Sequence, residues 1–288
     1  MGDPAAHLTR ADDEDVLEPH EAGGYRCTVP HADVNGARLW YEDEGTGDPV
    51  LLVHHGLGDS RAWDEHAPAL AERFRVIRPD LRFFGRSEGS EEPFSMVDDL
   101  CGVLDTLGID RVAVVGHSFG GRVAIDFALE QPHRVRALVA VASGLGGYDV
   151  AAMTPEGEAA FEEAVAAGEL ERAADLELDV WAPLGADGAI RELAHANAGI
   201  ETVDVEVRWP EQPAITRLGE LALPTLVVTG GRDVPDMTAI GDRLEQGVAD
   251  ARRVVFEDAD HFVPQRDPDR FVELLSGFLT ESRASSPA

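Results

Sequence analysis

One five-residue turn restricts this chain more than any other stretch: Gly116-His117-Ser118-Phe119-Gly120, a G-x-S-x-G pattern. Ahead of it, Val112 to Val115 has the length and β-branching of a buried strand. Behind it, Val123, Ala124, Phe127 and Ala128 recur at helical spacing within Arg122 to Glu130. A serine on a sharp strand-to-helix turn has strained backbone angles, so small residues are needed two places either side of it, at Gly116 and Gly120. The turn lifts the Ser118 hydroxyl clear of a sheet. It also leaves the Phe119 amide unpaired at a helix N-terminus, where it can face a developing negative charge. A plain glycine-rich loop is the duller alternative, but it does not explain a strand before and a helix after.

A chain of 288 residues suits one large α/β domain with an insertion, or two small domains. With 44% hydrophobic residues it can bury a sizeable core, and no run of about 18 apolar residues suggests a membrane span. The first 24 residues are acidic and lack the basic-then-apolar order of a signal peptide. Cys27 and Cys101 are too few for a disulfide framework. Both read as reduced and buried, Cys101 on an apolar helical face, which fits a cytoplasmic protein.

Charge is the unusual quantity. There are 55 acidic residues against 24 basic ones, all of them arginine, for a net charge of −31. Such a charge destabilises a compact chain by self-repulsion, and molar salt, with a Debye length of about 3 Å, screens it. The composition therefore reads as that of a protein from a multimolar-salt, halophilic interior. A high-GC genome would explain the arginines but not the acidic excess. The same charge disfavours nucleic acid or an anionic membrane as partner.

In chain order, residues 1–24 read as an acidic tail. Tyr25 to Val34 and Ala37 to Asp43 read as strands joined by Asn35-Gly36, a two-residue hairpin signal. Val50 to Val53 is a short apolar strand ending in His54-His55-Gly56-Leu57, and Val76-Ile77 begins another that runs into Asp80 to Ser87. Ser95 caps a helix whose apolar face is Val97, Leu100, Cys101, Leu104 and Leu107, stopped by Gly108. Val135 to Val141 reads as a further parallel strand, so residues 25–148 alternate strands with helices as a mostly parallel sheet requires. Residues 149–217 change rhythm. Helices over Pro155 to Ala167, Leu170 to Trp181 and Ala189 to Ala198 read as a helical cap inserted after the sixth strand. Residues 218–280 return to the sheet, with strands at Pro224 to Val228 and Arg252 to Phe256 and helices at Met237 to Gln246 and Pro268 to Leu279. Residues 281–288 read as a frayed, flexible end.

A serine hydroxyl becomes a useful nucleophile only when a base takes its proton and a carboxylate orients that base. In an open α/β sheet such groups collect on loops at the carboxyl ends of strands. Asp233 follows one strand and His261 another, giving the order Ser118, Asp233, His261. Asp236 is the alternative orienter, while Asp258 and Asp260 read as solvated loop charges.

With these residues in place the chain resembles the α/β-hydrolase fold superfamily over about residues 30 to 280. The resemblance implies a mostly parallel eight-stranded sheet flanked by helices, with Ser118 as nucleophile, His261 as base and then acid, and Asp233 as orienting acid. His55-Gly56-Leu57 resembles the family's oxyanion loop, so the oxyanion hole is expected from the N–H groups of Leu57 and Phe119. Asp80 to Ser87 resembles the family's Asp-x-Arg-Gly-x-Gly-x-Ser segment, except that Phe83 stands where glycine is usual, which leaves the local backbone open. The more ordinary role for Phe83 and Phe84 is packing; the alternative is a place in the pocket wall.

His117, Trp181, His195 and Phe262 are the candidate pocket residues, with a structural role the competing reading for His117 and packing for the tryptophan. His66, His31 and His133 read as surface residues. His54 and His55 adjoin without a third ligand at metal spacing, so no metal is expected, and the chemistry needs no cofactor. The expected activity is hydrolysis of a small carboxylic ester or lactone through an acyl-enzyme, by a monomer or small homo-oligomer. C–C hydrolysis and perhydrolase-type activity are alternatives on the same residues. Epoxide hydrolase and dehalogenase chemistry is disfavoured, since those relatives carry Asp where Ser118 stands. A silent ligand-binding protein of the same fold is the rival outside enzymes.

Overall fold

Parallel strands covered on both faces need apolar side chains at every position, not every second one. Val50, Leu51, Leu52 and Val53 are all buried, as are all residues of Val112–His117 and Val135–Val141. The computed structural model describes residues 30–186 and 188–284. The expected tail over 1–24, Tyr25 and Cys27 lie outside them.

The strands are β1 (His31–Val34), β2 (Ala37–Glu44), β3 (Asp48–Val53), β4 (Phe74–Pro79), β5 (Glu88–Gly89), β6 (Val112–His117), β7 (Val135–Val141), β8 (Thr225–Gly230) and β9 (Ala251–Phe256). Eight form one path in the order β1-β2-β4-β3-β6-β7-β8-β9, and the two-residue β5 pairs with β2 beside it. Pairing is antiparallel at β1–β2–β4 and parallel from there to β9. The β1–β2 hairpin turns at Asn35 and Gly36, which both take positive φ (51° and 74°).

The helices are α1 (Ala67–Ala71), α2 (Met96–Thr106), α3 (Phe119–Glu130), α4 (Pro155–Ala166), α5 (Leu170–Trp181), α6 (Gly188–Asn197), α7 (Pro235–Gly247), α8 (Val263–Arg266) and α9 (Pro268–Ala284). Alternate residues of each central strand feed opposite cores. Leu51, Val53, Val114 and Leu138 face α2, α3 and α7 through Leu100, Leu104, Val123, Phe127, Ile240 and Leu244. Val50, Leu52, Val115 and Val139 face α1 and α9 through Leu70, Phe271, Leu275 and Phe278. Ser95 caps α2, accepting from Asp98 N at 3.2 Å, and Gly108 ends it with φ 63°. Cys101 on that helix is half-buried rather than buried.

The segment between β7 and β8 carries α4, α5 and α6. Ala174, Leu178, Ile190 and Ala194 pack there with Phe262 and Leu57 from the loops after β9 and β3. Among the described residues no helix is long and apolar enough to cross a membrane.

Two further sequence expectations fail here. The C-terminal end does not fray at 281: α9 continues to Ala284, where buried Ser282 accepts from Arg136 Nη1 at 3.3 Å and Arg252 pairs with Glu281 at 3.0 Å; the rest of that expected end, 285–288, lies outside the described residues. His66 is not at the surface but fully buried, its ring edge-on to Trp63 and Phe271 and Nε2 3.0 Å from Pro264 O.

Candidate active site

Every loop of interest leaves the carboxyl end of a parallel strand. β6 ends at His117, and Ser118 takes φ 55°, ψ −116° before α3 begins at Phe119. That conformation costs of the order of 1–3 kcal/mol and persists only when neighbours hold it. They do. Ser118 N–H donates to Val141 O at 2.9 Å, and Ser118 O accepts from Gly121 N (2.9 Å), Arg122 N (3.1 Å) and Gly144 N (2.9 Å). The flanking glycines are a matter of space. A Cβ on Gly116 would lie 2.2 Å from Gly120 O, and one on Gly120 would lie 2.3 Å from His54 O.

The loops after β8 and β9 are stitched together. Gly231 N donates to Phe256 O (2.8 Å) and Arg232 N to Ala259 O (2.9 Å), while a Cβ on Gly230 would strike Asp260 O. This seam places Asp233 beside His261. His261 Nδ1 lies 2.9 Å from Asp233 Oδ2, and His261 Nε2 lies 2.7 Å from Ser118 Oγ. The other Asp233 oxygen accepts from Val234 N at 2.8 Å. The tautomer that satisfies all three groups has Nδ1–H donating to the carboxylate and Ser118 O–H donating to Nε2. The His261 and Asp233 side chains are buried at 4% and 1% exposure. Asp236, the alternative orienter, is elsewhere: it accepts from Tyr148 Oη at 2.9 Å and from Ala151 N at 3.2 Å.

The N–H groups of Leu57 and Phe119 find no hydrogen-bond partner among the described residues. Both residues line the cavity that holds Ser118, as do His55 and Gly56. Its volume is about 390 Å³, and its wall is mainly apolar, with Phe83, Phe84, Phe94, Met96, Trp181 and Phe262 among its members. Trp181 lies tilted over His261, ring centres 4.5 Å apart. Phe83 itself takes the positive φ (71°) that glycine would occupy, and its ring meets Phe94 edge-on at 5.7 Å. Aromatic contact offsets the strain that a bulky residue carries there.

Two expected pocket residues are not in the wall. His117 is fully buried beneath the site, with Nε2 2.8 Å from His261 O. Burial, with the neighbouring His261 adding to it, pushes its pKa down to about 3. His195 turns to Asp175 on α5, at 2.9 Å, because its position on α6 faces the neighbouring helix. Asp260 is likewise no solvated charge: it is fully buried, held by Arg266 at 2.7 and 2.9 Å and by Leu184 N. Asp258 is 95% exposed.

Sequence reasoning missed Glu177 and the stretch Val203, Val205 and Val207, which also line the cavity. The period-two valines were a usable signal; Glu177, one turn before Trp181 on α5, gave none. Burial, with Glu201 adding to it, pushes the Glu177 carboxyl up to about 8. The cavity's guanidinium, Arg82, is committed to Asp99 in a two-pronged pair at 2.7 and 2.8 Å. Among the described residues no three His, Cys, Asp or Glu side chains are grouped to hold a metal ion.

A strained serine on a strand-to-helix turn, a histidine bridging it to a carboxylate and a mostly parallel sheet beneath them define a class of fold, and comparison with known proteins gives it a family. Residues 49–171 match the family model described as the alpha/beta hydrolase fold. A 2-hydroxymuconate semialdehyde hydrolase of Pseudomonas sp. (strain CF600) is 31% identical over 270 residues, spanning 87% of this chain and 93% of that protein. The chain belongs to the α/β-hydrolase fold family. Among solved structures it is similar to the enol-lactonase from Burkholderia xenovorans LB400, with TM-score 0.71, 25% identity and coverage of 87% of this chain and 100% of that one. It is also similar to a meta-cleavage product hydrolase from Pseudomonas fluorescens IP01, with TM-score 0.65, 26% identity and coverage of 88% and 97%.

Proposed function

We propose that this protein is a serine hydrolase of small carboxylic esters or lactones. The observation that carries the proposal is the continuous relay from Asp233 through His261 to the Ser118 hydroxyl, at 2.9 and 2.7 Å, beside two unpaired backbone N–H groups. Ser118 Oγ attacks the carbonyl carbon as its proton passes to His261 Nε2, and Asp233 stabilises the imidazolium. The carbonyl oxygen, now negative, takes hydrogen bonds from Leu57 and Phe119 N–H; each such donor is worth roughly 10²–10³ in rate. His261 then protonates the leaving oxygen, and water activated by the same ring splits the acyl-enzyme. The segment 149–217 acts as a cap, setting Trp181 and Glu177 over an apolar cavity suited to a compact, weakly polar acyl group.

Ser118→Ala should lower turnover of p-nitrophenyl acetate in molar KCl by at least about 10³-fold. Turnover within a few fold of the parent protein would overturn the assignment. The second reading is C–C hydrolysis of a β-diketone on the same residues, favoured by the semialdehyde hydrolase and meta-cleavage hydrolase relatives. A panel of esters and lactones run beside β-diketones separates the two: cleavage of the diketones alone would replace the first reading by the second.

A further inference from the structure

Glu177 is the uncompensated group of the cavity that holds Ser118. It lies on α5 one helical turn before Trp181, so the two side chains leave the same face with Cβ atoms roughly 5–6 Å apart. Trp181 covers His261, and both it and Glu177 line the cavity. Glu201, in the turn after α6, is the other acid of the lining. Glu177 is half-buried and Glu201 exposed, so the two stand where the cavity meets solvent. Neither carboxyl makes a hydrogen bond or an ion pair among the described residues. The positive groups nearby are committed elsewhere. Arg82, in the same lining, is paired with Asp99; Arg172 is paired with Glu169, Arg191 and His195 with Asp175, and Arg266 with Asp260. Arg208 is exposed and does not line the cavity, burial keeps the His55 ring neutral, and His261 belongs to the relay. Burial, with Glu201 adding to it, therefore leaves the proton on Glu177 up to about pH 8. A positive group in the cavity would be the missing partner and would release that proton, whereas a negative one would meet repulsion from both acids.

We propose that the Ser118 cavity selects esters whose alcohol carries a positive charge, with Glu177 as the residue that sets the preference; this rests on the reading of Ser118 as nucleophile. The acyl group stays bonded to Ser118 among apolar side chains, while the alcohol has to leave toward solvent, past the two acids. Aromatic rings in the wall, Trp181 and Phe83 among them, add a surface that attracts an ammonium group.

Three acetate esters of similar shape test this: 3-(trimethylammonio)propyl acetate, the neutral 4,4-dimethylpentyl acetate and the anionic 4-acetoxybutanoate, with acetate release followed by proton NMR. Molar KCl confines the field of the −31 net charge to about 3 Å, so a preference that survives it belongs to the cavity. At about pH 9, kcat/KM should be roughly tenfold higher for the cationic ester than for the neutral one, and lower still for the anionic one. Glu177→Gln should bring the cationic-to-neutral ratio to within about twofold of unity, while Glu177→Asp, which keeps the charge, should retain most of it. In the parent protein the ratio should shrink at about pH 6.5, where Glu177 holds its proton; the quaternary ammonium does not titrate, so the change is the protein's. These parent ratios need no variant to fold. A parent ratio near one at about pH 9, or one that persists in Glu177→Gln or ignores pH, overturns the proposal. So does failure to cleave all three esters by a protein that turns over p-nitrophenyl acetate. Failure of the underlying reading shows separately, as Ser118→Ala retaining full turnover.

Discussion

Asp126, farther along α3 from Ser118, is 2% exposed, and its Oδ2 has no hydrogen-bond partner among the described residues; the nearest cation among them, Arg122 Nε, is 3.9 Å away. Arg122 spends its planar face on Trp209, 3.6 Å from the ring centre. Burial therefore dominates and pushes the Asp126 carboxyl from 3.8 up to about 6. The folded state binds more protons than the unfolded one between those values, so stability falls as pH rises from 3.8 to about 6 and stays lower above it. Asp126→Asn removes that penalty. At pH 7.5 it should melt at a higher temperature than the parent, with an unfolding free energy greater by up to about 3 kcal/mol, and the gain should vanish near pH 4. Equal melting curves at pH 7.5 would show that Asp126 is hydrated in solution. In the sequence Asp126 is one polar letter on an amphipathic helix, and only its distance from Arg122 makes it matter. Asp260 teaches the same lesson: it read as a solvated charge because its partner Arg266 lies on α8, whose position no local pattern announces.

At the scale of elements, the most demanding contact is the turn between β6 and α3. Backbone meets backbone there, so neither side can yield as a flexible side chain would. Gly116→Ala would place a methyl 2.2 Å from Gly120 O. It should destabilise the fold by about 3 kcal/mol or more, or distort Ser118 enough to remove activity, as thermal melting and p-nitrophenyl acetate turnover would register. By contrast, a Cβ on Gly108 meets nothing within 4 Å among the described residues, and its φ of 63° is what constrains it. Most elements were legible because their signals are local. The capping serine at 95, the stop at Gly108, the Asn35-Gly36 hairpin and the apolar runs Val112–Val115 and Ala137–Val141 each fix conformation within a few residues. The end of α9 was not legible, since a buried serine and an arginine from β7 hold it.

For the whole molecule the dominant quantity is the net charge of −31. Arginines are shared among acids: Arg78 alone contacts Glu42, Glu44 and Asp64, and Arg217 contacts Glu130 and Glu220. Such pairs cannot neutralise a chain with more than twice as many acidic as basic side chains, so the remaining repulsion acts over the surface. Raising KCl from dilute buffer to about 2–3 M, where the Debye length is near 3 Å or below, should therefore raise the melting temperature; equal values would remove the proposal of a salt-adapted protein. By itself the sequence determined most of the strands and longer helices, though not α1, β5 or α8, together with the serine turn and the chain order of serine, acid and histidine, because periodicity, capping and glycine spacing act between near neighbours. Tertiary structure alone decided that His261 reaches Ser118 while His195 turns away to Asp175, that His117 lies beneath the site, and that Phe83 and Glu177 enter the cavity wall. Those outcomes depend on how loops far apart in the chain pack against one another, and a side chain's direction is fixed only once its distant neighbours are in place.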